Sequence, residues 1–122
     1  MTELLCHLVG DYVLQNHWMA TRKTQAWGPA LVHATLYTTP FLLLTQAWPA
    51  LLIILGTHAV IDRYRVAGWW VRFYGVGVPG WLPPRLGMRA AEPAPPFLGV
   101  WLTIIADNTL HMVINHLALG IQ

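Results

Sequence analysis

Apolar residues fill four long stretches of this chain, and each stretch is interrupted by a few polar residues at helical spacing. Leu4 to Ala20 reads as a first helix, apolar around most of its circumference, with His7, Asp11, Gln15 and Trp18 on one stripe. Thr21-Arg22-Lys23-Thr24-Gln25 is a polar connection, and Gly28-Pro29 marks the next helix start. A second helix is predicted over 30–48, with His33 and Tyr37 as its ionisable groups and a kink at Pro40. After a turn at Ala47-Trp48-Pro49, a third helix over 50–66 carries His58 and Asp62 near its end. Residues 67–96 hold Pro79-Gly80, Pro83-Pro84 and Pro93-Ala94-Pro95-Pro96, which forbid a long helix. Within that loop, Trp69 to Tyr74 suits an amphipathic turn lying flat on a membrane surface. A fourth helix is predicted over 97–121, with Asp107 and His111 near its middle.

The expected fold is therefore one all-α domain over 1–122, built from four helices of about 17–25 residues, long enough to cross a bilayer. Composition turns this into a membrane reading. The 122 residues are 56% hydrophobic and only 10% charged, with a mean hydropathy of +0.48. About a quarter of a soluble domain is charged. Seven Trp and four Tyr suit the interfacial belts of a bilayer. The competing reading is a soluble helical bundle with an unusually greasy core, of the kind an obligate oligomer has.

Charge orients the hairpins. Arg22 and Lys23 lie in the first loop; Arg63, Arg65, Arg72, Arg85 and Arg89 lie in or beside the third; the turn around Pro49 has none. The positive-inside rule places both basic loops in the cytoplasm and both termini outside. A net charge of +2 on scattered basic residues gives no nucleic-acid recognition stripe. Cys6 stands alone, which excludes an intramolecular disulfide and reads as a small buried hydrophobe. Met1-Thr2-Glu3 lacks the basic start of a signal peptide.

All three aspartates have a histidine four residues away: His7/Asp11, His58/Asp62 and Asp107/His111. On a helix such residues project from one face, one turn apart. Random placement gives about 0.3 such pairs, so three call for a cause. At 1.5 Å per residue, every predicted helix offers an ionisable group between its cytoplasmic end and mid-bilayer, His7 and His111 lie deeper at about 20 Å, and one tilted cavity would hold all seven.

An aspartate near the centre of a spanning helix costs about 2.5–3.5 kcal/mol on insertion scales and needs compensation. A metal cation supplies it, and mixed nitrogen and carboxylate donors suit zinc best, with iron or manganese next. The candidate ligands are His7, Asp11, His33, His58, Asp62, Asp107 and His111. Seven exceed one tetrahedral zinc, so either two ions bind or some aspartates orient histidine ligands. In a catalytic site, Asp11, Asp62 and Asp107 are the candidate general bases, assisting water activated by the metal. Gln15 and Asn108 are candidates for contact with ligands or substrate, and Arg65 for an anionic group. Against the metal stand buried ion pairs or a proton relay built from the same residues. His17 and His116 lack such a partner and read as interfacial.

The chain resembles the small bacterial and phage membrane proteins grouped as domain of unknown function 3307. The residues that carry the resemblance are His7-x3-Asp11-Tyr12-x2-Gln15, Trp18-Met19-Ala20, Lys23, His33, Tyr37, His58-x2-Ile61-Asp62-x2-Arg65 and Asp107-Asn108-x2-His111. Asn108 stands where that pattern has Gln, and the stretch from Pro79 to Pro96 looks private to this chain. The resemblance implies a bacterial inner-membrane protein in contact with lipids and names no activity. By a looser analogy, the His/Asp arrangement is similar to that of membrane-bound metal-dependent hydrolases. The resulting expectation is an intramembrane metal centre, with hydrolysis of a lipid-like or phosphoester substrate as its most concrete function. The rivals are a non-enzymatic protein acting on the host membrane or a partner, and an ion or proton conduit.

Overall fold

The computed structural model describes residues 1–73 and 95–121, and every regular element among them is helical. The chain forms α1 (Thr2–Leu8), a π-helical turn (Val9–Val13), α2 (His17–Arg22), α3 (Trp27–Thr38), a 3-10 turn (Thr39–Leu43), α4 (Trp48–Tyr64), α5 (Val66–Phe73) and α6 (Pro96–Leu119). Two compact units result: residues 1–65 with 111–122, and residues 66–110.

In the first unit, the helix expected over 4–20 is three pieces. After α1 the backbone widens into the π turn, closed by Leu14 N–H donating to Val9 O at 2.9 Å. Gly10 explains the location. A Cβ at Gly10 would lie 2.6 Å from the Tyr37 ring and 3.0 Å from the Tyr37 backbone, so only glycine lets the turn sit this close to α3. Asn16 then caps α2, its side-chain oxygen accepting from Met19 N–H at 2.9 Å.

The second expected helix, 30–48, begins earlier and stops sooner. Pro29 stands in the first turn of α3, where its missing N–H removes no helical bond. Pro40 does more than kink the helix. It has no N–H for the α-helical ladder, and the chain tightens into the 3-10 turn over Thr39–Leu43. α4 lies close to the expected 50–66, with Pro49 in its first turn. It ends at Arg65, which takes the left-handed conformation at φ 54° and ψ 44°. The Arg65 N–H turns back onto the carbonyls of Ile61 and Asp62, closing the last turn. An apolar core of Cys6, Tyr37, Phe41, Ile54 and Ala118 binds α1, α3, the 3-10 turn, α4 and the end of α6 together.

In the second unit, the start of the expected loop forms α5, where an amphipathic turn was expected from Trp69 on; the helix buries Ala67 and Val71 and exposes Trp69, Trp70 and Phe73. Trp81, Arg85, Arg89 and the proline clusters from Pro79 to Pro95 lie outside the described residues, apart from Pro95 itself. One helix among the described residues, Phe97–Leu119, is long and apolar enough to cross a membrane. α4, at 17 residues, is the next longest.

Candidate metal centre

Three elements of the first unit deliver four ligand atoms to one point. The π turn presents Asp11, α3 presents His33, and α4 presents His58 and Asp62 from one face of a regular helix. All four side chains are buried. The separations are uniform. His33 Nε2 lies 3.2 Å from Asp11 Oδ1 and 3.2 Å from Asp62 Oδ2. His58 Nε2 lies 3.4 Å from Asp11 Oδ1, 3.2 Å from Asp62 Oδ2 and 3.0 Å from His33 Nε2.

A tetrahedral zinc with bonds of about 2.0–2.1 Å has ligand-to-ligand edges of about 3.3 Å. Five of the six edges of this ligand set are the distances just given, 3.0–3.4 Å. The donor set, two imidazole nitrogens and two carboxylate oxygens, is one zinc accepts. Hydrogen bonding alone satisfies it poorly. Each Nε2 carries at most one proton, yet the His33 Nε2 faces Asp11, Asp62, His58 and Lys23 at 3.2, 3.2, 3.0 and 3.3 Å. A cation at the common point would engage all four lone pairs.

The surroundings hold the ligands in place. Tyr37, buried on α3, stacks on His58 with ring centroids 3.6 Å apart and planes 16° from parallel. Stacking matters because the Nδ1 atoms of His33 and His58 have no hydrogen-bond partner among the described residues. The Tyr37 hydroxyl accepts from Asn115 Nδ2 at 2.6 Å and pairs with His7 Nδ1 at 2.8 Å. His7 Nδ1 is also 3.5 Å from Asp11 Oδ2, the carboxylate partner of the oxygen that meets His33 and His58. His7 thus backs one of the four candidate ligands rather than joining them. His111 borders the group, its ring centroid 4.2 Å from that of His58 and its Nε2 3.9 Å from Asp62 Oδ1. Lys23 closes the outer side, with Nζ 2.8 Å from Asp62 Oδ2.

Of the seven ligands expected from the sequence, six lie in this unit: four converge, and His7 and His111 flank them. Asp107 lies in the second unit, half-buried on α6 one turn before His111. Gln15 is half-buried and its Oε1 has no hydrogen-bond partner among the described residues. Asn108 is half-buried on α6. Arg65 is exposed and serves as the left-handed end of α4. Sequence reasoning passed over Lys23, Tyr37 and Asn115 as site residues. Two of them carried a usable signal, since Tyr37 follows His33 and Asn115 follows His111 by the same four-residue step.

Nothing matches the chain among curated proteins or among solved structures. One family model does match, over residues 1–73, a stretch that contains His7, Asp11, Lys23, His33, His58 and Asp62 and ends before Asp107 and His111. On that match, the chain belongs to the family described as protein of unknown function DUF3307.

Proposed function

We propose that this chain is a membrane-embedded zinc protein whose ion is held by Asp11, His33, His58 and Asp62, and that the centre hydrolyses a lipid-like phosphoester. The observation that carries the metal is the convergence of four buried ligand atoms at tetrahedral spacing from three separate elements. Two features support the bilayer. Phe97–Leu119 has spanning length and composition, and large apolar residues stand exposed on several elements, among them Val13, Leu43, Trp48, Leu52, Trp101 and Leu117. The basic loops around Arg22 and around Arg63 and Arg72 then face the cytoplasm of a bacterial inner membrane.

Zinc at this point would supply Lewis-acid polarisation of a phosphoryl oxygen and a water of lowered pKa. The chain's own residues do the rest. His33 and His58 fix the ion's position, and Tyr37 holds the His58 ring. The Asp11 oxygen on the His7 side is placed to take up a proton and share it with that imidazole. Lys23 stands at the solvent-facing edge, its side chain 16% exposed against 0–9% for the four ligands.

The test is metal analysis of the purified full chain and of His58→Ala and Asp62→Ala. One zinc per wild-type chain, and little in either variant, is expected. Negligible metal in all three sinks the reading. Turnover of a phosphodiester lipid in liposomes, absent in His58→Ala, then separates hydrolysis from binding alone. One observation favours a second reading. Lys23 already lies on Asp62 at 2.8 Å, as it would in a metal-free ion-pair relay carrying protons or ions. Ion flux across the same liposomes without lipid turnover would establish that alternative.

A further inference from the structure

Lys23 has a place in the site that its sequence context, a short polar loop, does not announce. Its ammonium lies 2.8 Å from Asp62 Oδ2 and 3.3 Å from His33 Nε2, so it shares two of the four ligand atoms. The placement is built rather than casual. Arg63, the residue after Asp62, donates from Nη1 to the Thr24 carbonyl at 2.7 Å and so ties the Lys23 loop to α4. The same guanidinium lies 5.9 Å from the Trp27 ring and 5.7 Å from the Tyr64 ring, which pins it in turn.

Charge balance decides what this arrangement does. Asp11 and Asp62 carry two negative charges, and with neutral imidazoles they balance a divalent cation unaided. In the metal-free protein, the Lys23 ammonium neutralises Asp62 and holds its oxygen toward the centre. Once a divalent cation takes the lone pairs of Asp62 and His33, Lys23 loses its counter-charge while remaining mostly buried and tethered by the Arg63-held loop. A buried ammonium without a partner is unfavourable, and an anion beside the metal satisfies it.

We infer that Lys23 is a metal-responsive anion seat: it stands in for the cation while the site is empty of metal, and receives an oxyanion of the phosphate class once a divalent ion is bound. This inference rests on the zinc reading above and deepens it by naming the group the loaded centre recruits. Lys23 acts by charge and hydrogen bonding, and no covalent step is required of it.

Two titrations test it on the full chain in detergent, one with zinc alone and one with inorganic phosphate added to zinc-loaded protein. Wild type should bind phosphate at least about tenfold more tightly when loaded, the scale of one charge-assisted hydrogen bond. Lys23→Met should bind zinc about tenfold more tightly, because a competing cation is gone, and should lose the phosphate gain. Lys23→Arg should keep phosphate binding within about threefold, since a guanidinium also pairs with an oxyanion. If Lys23→Met aggregates, Lys23→Gln carries the same expectation. Zinc uptake with phosphate binding that is equal in wild type and in the neutral variant overturns this inference and leaves the metal reading standing. No zinc uptake by wild type overturns both.

Discussion

Two segments of this chain share the pattern His-x3-Asp, and the backbone uses them differently. In α4, His58 and Asp62 sit on an unbroken helix, and both send an atom into the four-atom cluster, Nε2 and Oδ2 standing 3.2 Å apart. At the N-terminus, the same spacing straddles the change from α1 to the π turn. There His7 faces Tyr37 at 2.8 Å, and only Asp11 reaches the cluster. Equal spacing therefore places two residues on one face without making them equal partners. What lies opposite each ring decides its role: for His58 it is the cluster, for His7 a buried hydroxyl and the second oxygen of Asp11.

The largest effect should separate the two histidines. On the proposed zinc centre, His58→Ala removes a ligand and is expected to weaken zinc binding by about a thousandfold or more, of the order of a lost metal bond. His7→Ala removes a partner of a ligand and should weaken it by about tenfold to a hundredfold. Competition against a chelator of known affinity reads both. Equal losses would erase the distinction between the segments.

The next comparison is between two glycines. Gly10 in the π turn has the Tyr37 ring 2.6 Å from where a Cβ would stand, whereas Gly56 on α4 has nothing within 4 Å. Gly10→Ala should destabilise the fold by about 1–3 kcal/mol, through overpacking against α3. Gly56→Ala should stabilise α4 by about 0.5–1 kcal/mol, because alanine loses less backbone entropy in a helix. Chemical denaturation of both variants gives the two signs. The same sign for both would mean that the π turn does not depend on close approach to Tyr37.

Much of this site was legible beforehand because helical spacing is a strong signal. The three His/Asp pairs and His33 were visible as positions, and α4 follows its expected span to within two residues at each end. The breaks were not visible, for reasons that are local and steric. Nothing in the run from Leu4 to Val13 signals a π turn; Gly10 acquires its meaning only from Tyr37, distant in sequence and pressed against it. Pro40 announced a bend, and the chain resolves it into a 3-10 turn that buries Phe41 in the core. Lys23 was hidden for another reason. A lysine in a polar loop reads as solvated until the Arg63 tether folds that loop back onto Asp62.

The smallest expected effect concerns how the α4 segment ends. Arg65 is the one described residue other than glycine with a positive φ, and an L side chain in that region costs about 1 kcal/mol relative to glycine. The Arg65 side chain is exposed, so its removal takes little packing with it, and the backbone bonds that close α4 run from its N–H to Ile61 and Asp62. Arg65→Gly should therefore keep those bonds and stabilise the protein by about 0.5–1 kcal/mol, partly offset by the greater freedom of glycine in the unfolded chain. Zinc affinity should stay within about twofold of wild type, because the last turn that carries Asp62 is unchanged. A clear loss of zinc binding in this variant would show that the Arg65 side chain takes part in the centre, and that α4 needs a supporting residue as the N-terminal segment needs His7.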